Sequence, residues 1–299
     1  MVKRSGEYKV ELDSGIEIAY ETFGEENNSP LVLIMGLACQ MVVWDEELCE
    51  QLVEQGFWVI RFDNRDCGKS THFHSYGMPD FTTLFTVQSG ERLQYAPYTL
   101  QAMAEDVVGL MDHLQIESAN VAGISMGGMI AQVLATNHSN RVKTLTSIAS
   151  STGNPNLPPP TREASELLYS PLPTNWEGFL DGWMHMWRVF SGKSYPVEED
   201  LARKWGKESY ERGLDSNGVA RQFAAIIASG NRKKVLASVN LPTLVIHGDA
   251  DPLIPVEAGR DTANTIPNAK LEIIQGMGHA IPRALWPRLI ELIVQHARV

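Results

Sequence analysis

Cysteine is scarce in this chain: 299 residues hold only Cys39, Cys49 and Cys67, an odd number with no C-x-x-C spacing. That indicates neither a disulfide framework nor a zinc site, and it fits free thiols in a reducing cytoplasm. Positive charge is also short. Lys+Arg number 25 against 36 Asp+Glu, a formal net charge of −11, and the longest basic run is Arg232-Lys233-Lys234. Such a chain repels phosphate backbones and anionic lipid, so nucleic-acid and membrane partners are not expected. No apolar run is long enough to span a bilayer. The most apolar stretch, Leu31 to Cys39 and then Met41 to Trp44, is broken by Gly36 and Gln40, well short of the roughly 20 residues needed. The basic start at Met1 to Glu7 has no apolar segment behind it, so a secretory signal is not expected either.

What remains is an ordinary soluble composition, 43% hydrophobic and 20% charged, with length enough for one large α/β domain. Tyr8 to Leu12 and Ile16 to Tyr20, joined at Asp13-Ser14-Gly15, read as an opening hairpin with one wet face. Leu31 to Ile34, Trp58 to Phe62, Asn120 to Ala122, Leu145 to Ile148, Leu244 to Ile246 and Leu271 to Ile274 are short apolar or β-prone runs, as expected of buried parallel strands. Helical periodicity separates them, most clearly at Leu100, Met103, Val107, Leu110, Met111 and Leu114. This alternation predicts an α/β, doubly wound sheet, whose ligands bind beyond the carboxyl ends of its strands. From about Ser151 the strand pattern stops, beginning with Pro155, Pro158, Pro159 and Pro160, and it resumes at Leu241. Residues 1–150 and 236–299 are therefore expected to form one core, with 151–235 a helical, tryptophan-rich insertion.

Gly123-Ile124-Ser125-Met126-Gly127 matches G-x-S-x-G. The pentapeptide is short, and its context carries the weight: Asn120-Val121-Ala122 precedes it as a strand, and Gly128 to Leu134 follows it as a helix, the setting of a nucleophile elbow. A serine hydroxyl needs an adjacent base. Of the eight histidines, His279 alone follows the last expected strand in a turn-forming stretch, Gly276 to Pro282; His72, His74, His113, His138, His185, His247 and His296 lack that setting. A carboxylate must then orient the imidazole. His247-Gly248-Asp249-Ala250-Asp251-Pro252 offers two, of which Asp251, farther out in the loop, is preferred, while Asp249 is expected to cap its own turn. The oxyanion donors expected are the backbone amides of Met126, at the helix start, and Leu37, in the turn Met35-Gly36-Leu37.

Taken together, the Met35-Gly36 turn, Phe62-Asp63-Asn64-Arg65-Asp66-Cys67-Gly68-Lys69-Ser70, the elbow, the acid loop and the histidine turn resemble the α/β-hydrolase superfamily over nearly the whole chain. The combination of Arg61 to Asp66 with Gly278-His279-Ala280-Ile281-Pro282 is similar to the aclacinomycin methylesterase group within the capped esterases. The resemblance implies a mostly parallel eight-stranded sheet with helices on both faces and a helical cap. It also implies hydrolysis of carboxylic esters through an acyl-serine intermediate, with no metal and no organic cofactor. A small-molecule ester substrate near Met35, Gly36, Trp183 and Trp187 is the corresponding expectation, the tryptophans having packing of the cap's own core as the plain alternative. Two departures stand out: Met35 where many relatives carry His, and Asp66 where they carry the first Gly of Asp-x-x-Gly-x-Gly-x-Ser. Asp63 to Ser70 is expected to be structural. Dehalogenases and epoxide hydrolases resemble this chain with Asp at the elbow, which Ser125 disfavours. Thioesterase, C–C hydrolase, perhydrolase, aminopeptidase and a non-catalytic binding protein stay open, as does monomer against homodimer.

Overall fold

The structure, a computed structural model, describes residues 2–86, 91, 94–170 and 173–298. Among them eight strands form one sheet: β1 (Tyr8–Glu11), β2 (Glu17–Phe23), β3 (Ser29–Ile34), β4 (Phe57–Phe62), β5 (Ala119–Ile124), β6 (Val142–Ile148), β7 (Thr243–Gly248) and β8 (Lys270–Ile274). Their spatial order is β1-β2-β4-β3-β5-β6-β7-β8. β1 with β2 and β2 with β4 are antiparallel, and every other pairing is parallel. Each strand expected from the sequence is present, extended by a residue or more at its ends in most cases.

The helices are α1 (Glu46–Glu54), α2 (Phe81–Thr86), α3 (Leu100–His113), α4 (Met126–Asn137), α5 (Arg162–Tyr169), α6 (Trp176–Ser191), α7 (Glu199–Arg212), α8 (Ser216–Ser229), α9 (Lys233–Leu236), α10 (Val256–Thr265) and α11 (Trp286–Ala297). Strand periodicity sorts them onto two faces. Leu31 and Leu33 of β3 pack with Leu48 and Leu52 of α1 and with Leu289 and Ile293 of α11. Val32 and Ile34 point the other way, into Met103 and Leu110 of α3 and Ile130 and Leu134 of α4. β3 thus reads as an apolar run from Leu31 to Ile34 because both its faces are covered. Helices α5 to α9 lie between β6 and β7 in the chain. No helix among the described residues is long and apolar enough to cross a membrane.

The wet face expected of the opening hairpin belongs to β1 alone. β1 is mostly exposed, whereas five of the seven β2 residues are buried and two half-buried. The reason is that Glu21, only 4% exposed, turns inward and accepts two hydrogen bonds from Arg61, at 2.5 and 2.9 Å. A glutamate in an alternating strand looks solvated from the sequence; its partner lies 40 residues away.

The segment from Asp63 to Ser70 is structural, as expected. Asp63 accepts from the amides of Met41 (2.8 Å) and Lys69 (3.0 Å). Arg65 makes a fork with Asp106 of α3, both arms 2.6 Å. Asp66 sits at φ 63°, the left-handed region that glycine would otherwise supply, and which Asp tolerates better than most residues. What the carboxylate gains is a set of partners: the Tyr98 hydroxyl at 2.7 Å and a fork from Arg221 of α8 at 2.7 and 2.9 Å.

Removing one partner of such a buried pair leaves an uncompensated charge. Arg65→Met is expected to lower stability by about 3–5 kcal/mol, and Arg65→Met with Asp106→Leu to recover most of that. Urea unfolding of both variants checks this; equal losses would show that the charge pair is not what the site depends on.

Candidate active site

β3 sits between β4 and β5, so the chain leaves the middle of the sheet toward opposite edges from these neighbours. The crevice at such a reversal, beyond the carboxyl ends, is where doubly wound folds bind ligands. Here β3 and β5 run in register to Ile34 and Gly123, which sets the Met35-Gly36 turn beside Ser125. An ideal Cβ on Gly36 would lie 3.2 Å from the Ser125 Cβ and 3.8 Å from its Oγ.

Ser125 joins β5 to α4 with φ 56° and ψ −121°, a conformation that costs a non-glycine residue on the order of 1–3 kcal/mol. The turn is held from behind: the Ser125 amide donates to the Ile148 carbonyl (2.9 Å), and its own carbonyl accepts from the Ser150 hydroxyl (2.8 Å). A Cβ on Gly123 would overlap the Gly127 carbonyl, and one on Gly127 the Ile34 carbonyl. Both glycines of the motif are therefore required by close backbone approach. Met126 opens α4, and the first amides of a helix have no partner within it.

The acid loop follows β7 and the histidine turn follows β8. Because these strands are adjacent and parallel, the two loops meet. Asp251 Oδ2 accepts from His279 Nδ1 at 2.8 Å, and both residues are buried at 7% exposure. Asp251 Oδ1 takes the amides of Leu253 (2.9 Å) and Ile254 (2.8 Å). Asp249, expected to cap its own turn, instead accepts from the Gly276 amide at 2.6 Å and so ties the acid loop to the histidine turn. The parallel neighbour is nearer than the local backbone. The far side of His279 meets α6: its amide donates to the Phe190 carbonyl (2.6 Å), and the Phe190 ring stands edge-on to the imidazole at 5.8 Å.

The structure brings Asp251 to His279, and Gly36 and Met126 to Ser125. Among the described residues it gives the Ser125 hydroxyl no hydrogen bond to the imidazole. Met35 is buried, and its carbonyl accepts from Asn64 Nδ2 at 2.9 Å. Leu37 is half-buried, and the next amide, Ala38, donates to Gln222 Oε1 at 3.1 Å. Gln222, fully buried on α8, also donates to the Arg65 carbonyl, and sequence reasoning missed it: a lone glutamine in a helix carries no motif. Trp183 and Trp187 pack the inserted helices. The Trp183 indole N–H donates to the Ala202 carbonyl at 2.8 Å, and the rings of Trp187 lie 5.6 Å from Trp183 and 5.1 Å from Trp205. The plain alternative describes them better than a substrate wall. Cys39, Cys49 and Cys67 are free, and burial pushes the Cys49 thiol up to about 12, far from thiolate reactivity at neutral pH.

The alpha/beta hydrolase fold family matches residues 29–282 of this chain. The chain belongs to that family. Two rhodomycin D methylesterases, from Streptomyces sp. (strain C5) and Streptomyces peucetius, are each 30% identical to this hydrolase over 93% of its length and 94% of theirs. The likeness to a methylesterase group thus extends along the chain. Among solved structures, the 2-hydroxy-6-oxo-6-phenylhexa-2,4-dienoate hydrolase of Rhodococcus sp. strain RHA1 superposes with a TM-score of 0.76 at 18% identity, covering 100% of both chains. That similarity is one of fold.

Two histidines of this hydrolase are buried with one ring nitrogen satisfied. His247 Nε2 donates to the Ile254 carbonyl (2.8 Å) and His296 Nε2 lies 3.2 Å from the carbonyls of Leu145 and Pro242, while both Nδ1 atoms are buried without a partner. Burial accordingly holds both imidazoles below their ordinary value. The unfolded chain, with histidines near 6.5, binds protons first, so stability is full above about pH 6.5 and is lost as pH falls below it. Urea midpoints between pH 7.5 and 5 should decline, and His296→Gln, which retains an N–H for the carbonyls, should flatten that decline. An unchanged slope in the variant would rule out His296 as a contributor.

Proposed function

We propose that this protein is a serine hydrolase that cleaves carboxylic esters of an apolar small molecule through an acyl-serine intermediate. The observation that carries the reading is the backbone at Ser125: a non-glycine residue held in a left-handed turn, with close-packed glycines on both sides and a helix start behind it. Nothing in sheet packing alone calls for that arrangement, and it sets a half-buried serine at the strand end, where a nucleophile elbow presents its hydroxyl. The two methylesterase relatives support an ester as the bond cleaved.

In this reading Ser125 Oγ attacks the ester carbonyl carbon and His279 Nε2 takes the hydroxyl proton. Asp251 fixes the tautomer through Nδ1 and stabilises the imidazolium. The amides of Met126 and Leu37 donate to the oxyanion, each expected to be worth about 2.7–4 kcal/mol. Collapse of the tetrahedral intermediate breaks the bond to the alcohol oxygen, which leaves with the proton from His279. Water, deprotonated by His279, then attacks the acyl carbon, and Ser125 departs with the proton returned. Serine–histidine contacts are often long without substrate and tighten when it binds.

Residues 151–235 act as the cap in this proposal. Phe190 is its point of contact with the catalytic histidine, so the acyl or alcohol group beside His279 meets an aromatic edge rather than water. The cytoplasm is the proposed compartment.

The test is hydrolysis of a short-chain p-nitrophenyl ester series and of the methyl ester of an aromatic acid, with a thioester and an amino-acid anilide alongside. Wild type should turn over the esters fastest. Ser125→Ala and His279→Gln should each lose at least about a thousandfold in kcat, as should Asp251→Asn, with circular dichroism unchanged. Undiminished turnover in Ser125→Ala would remove the serine mechanism; turnover of the thioester or anilide alone would replace the ester by that bond.

A further inference from the structure

A second constellation lies outside the site just described. His72 and His74 occupy the loop after β4, and Asp215 immediately precedes α8. His72 Nδ1 is 3.0 Å and His74 Nδ1 3.5 Å from the same atom, Asp215 Oδ2, and the three ligand atoms all lie within 4.8 Å of one another. The two imidazole centroids lie 5.2 Å apart, with the ring planes 7° from parallel.

The tautomer makes this arrangement informative. His72 Nε2 lies 3.0 Å from the Gly68 carbonyl, which only accepts, so that nitrogen carries a hydrogen. The other ring nitrogen, Nδ1, faces the Asp215 carboxylate oxygen at 3.0 Å. An imidazole whose outer N–H is fixed on a backbone carbonyl while its other nitrogen faces an acid is the usual preparation of a metal-ligating histidine. Asp66 Oδ1 stands 4.0 Å from His72 Nδ1, and Asp66 and Asp215 share one cation, Arg221, so the pocket carries more acid than fixed base.

The geometry points to a divalent transition-metal site, of the Zn2+ class, formed by His72 Nδ1, His74 Nδ1 and Asp215 Oδ2. Tetrahedral zinc with arms of about 2.0–2.1 Å holds neighbouring ligand atoms about 3.3 Å apart, between the two nitrogen–oxygen separations present. Asp215 Oδ2 also accepts from Arg221 Nη2 at 2.8 Å, and a carboxylate oxygen has a second lone pair for the cation. His74 is 75% exposed, so the remaining coordination position opens to solvent. The cation ties the loop after β4 to the start of α8, the helix whose Gln222 accepts from the Ala38 amide. This inference is independent of the ester reading. In the sequence the site shows only as His72-Phe73-His74, two imidazoles one residue apart.

The experiment is calorimetric titration of the full chain, stripped with EDTA and dialysed, with ZnCl2 at pH 7.5, and melting temperature followed in parallel. Wild type should bind one Zn2+ per chain and melt higher with it. His74→Ala, which removes an exposed side chain, and Asp215→Asn should each weaken binding at least tenfold and abolish the shift, while His185→Ala, at an exposed histidine elsewhere, should leave both unchanged. Co2+ in place of Zn2+ should give a visible absorption band in wild type that His74→Ala loses. Absence of stoichiometric Zn2+ binding by wild type would overturn the proposal. Equal affinity in wild type and His74→Ala, or equal weakening by His185→Ala, would overturn it as well.

Discussion

The close approach of Gly127 to the Ile34 carbonyl is the constraint on which the functional end of this molecule rests. It brings the first turn of α4 against the end of β3, which places the Met35-Gly36 turn beside Ser125. Every other group at the site is located relative to that contact by sheet register. β6 follows β5 and supplies the Ile148 carbonyl that receives the Ser125 amide; β7 and β8 follow in turn and deliver the acid loop and the histidine turn. A side chain at position 127 would separate β3 from α4 and move the Met35-Gly36 turn away from Ser125.

Charge, rather than apolar burial alone, fastens the inserted helices to the sheet layer. Asp45 accepts from Lys204 (3.0 Å) and from the Trp205 indole (2.9 Å), Arg212 reaches Asp63 and Glu7, Gln40 donates to the carbonyls of Ser209 (2.9 Å) and Gly213 (2.7 Å), and Arg221 forks onto Asp66. Apolar contacts tolerate sliding; forked and charge-assisted hydrogen bonds do not, because they weaken steeply with misalignment. The orientation of α7 and α8 over the loops that follow β3 and β4 is therefore specified by groups that are individually directional.

Much of this was legible in the residues. Short β-branched runs marked each strand because a two-sided buried sheet leaves no room for polar alternation, and Gly123 and Gly127 marked the elbow because no other residue fits it. His279 and Asp251 could be placed by chain order after their strands. What stayed hidden depends on partners distant in sequence. Glu21 looks solvated until Arg61 is opposite it, and Gln222 has no local pattern to betray that it holds Ala38 and Arg65 from another helix. Asp249 failed for the related reason that its partner, Gly276, belongs to a neighbouring loop. Trp183 and Trp187 were ambiguous because an aromatic helix face looks alike whether it meets a ligand or another helix; the Ala202 carbonyl taken by Trp183 favours the latter.

Asp66 bears on how this sequence is able to drift. It keeps a left-handed backbone that glycine would adopt freely, and it does so while its carboxylate is enclosed with Arg221 and Tyr98. Glycine at 66 would relax the backbone but leave the buried Arg221 only Asp215 and the Gly77 carbonyl, and loss of Arg221 would leave a buried acid without its cation in a strained turn. Neither step is neutral alone. The two positions, 155 residues apart, are thus coupled in energy: a change at one alters what the other can tolerate.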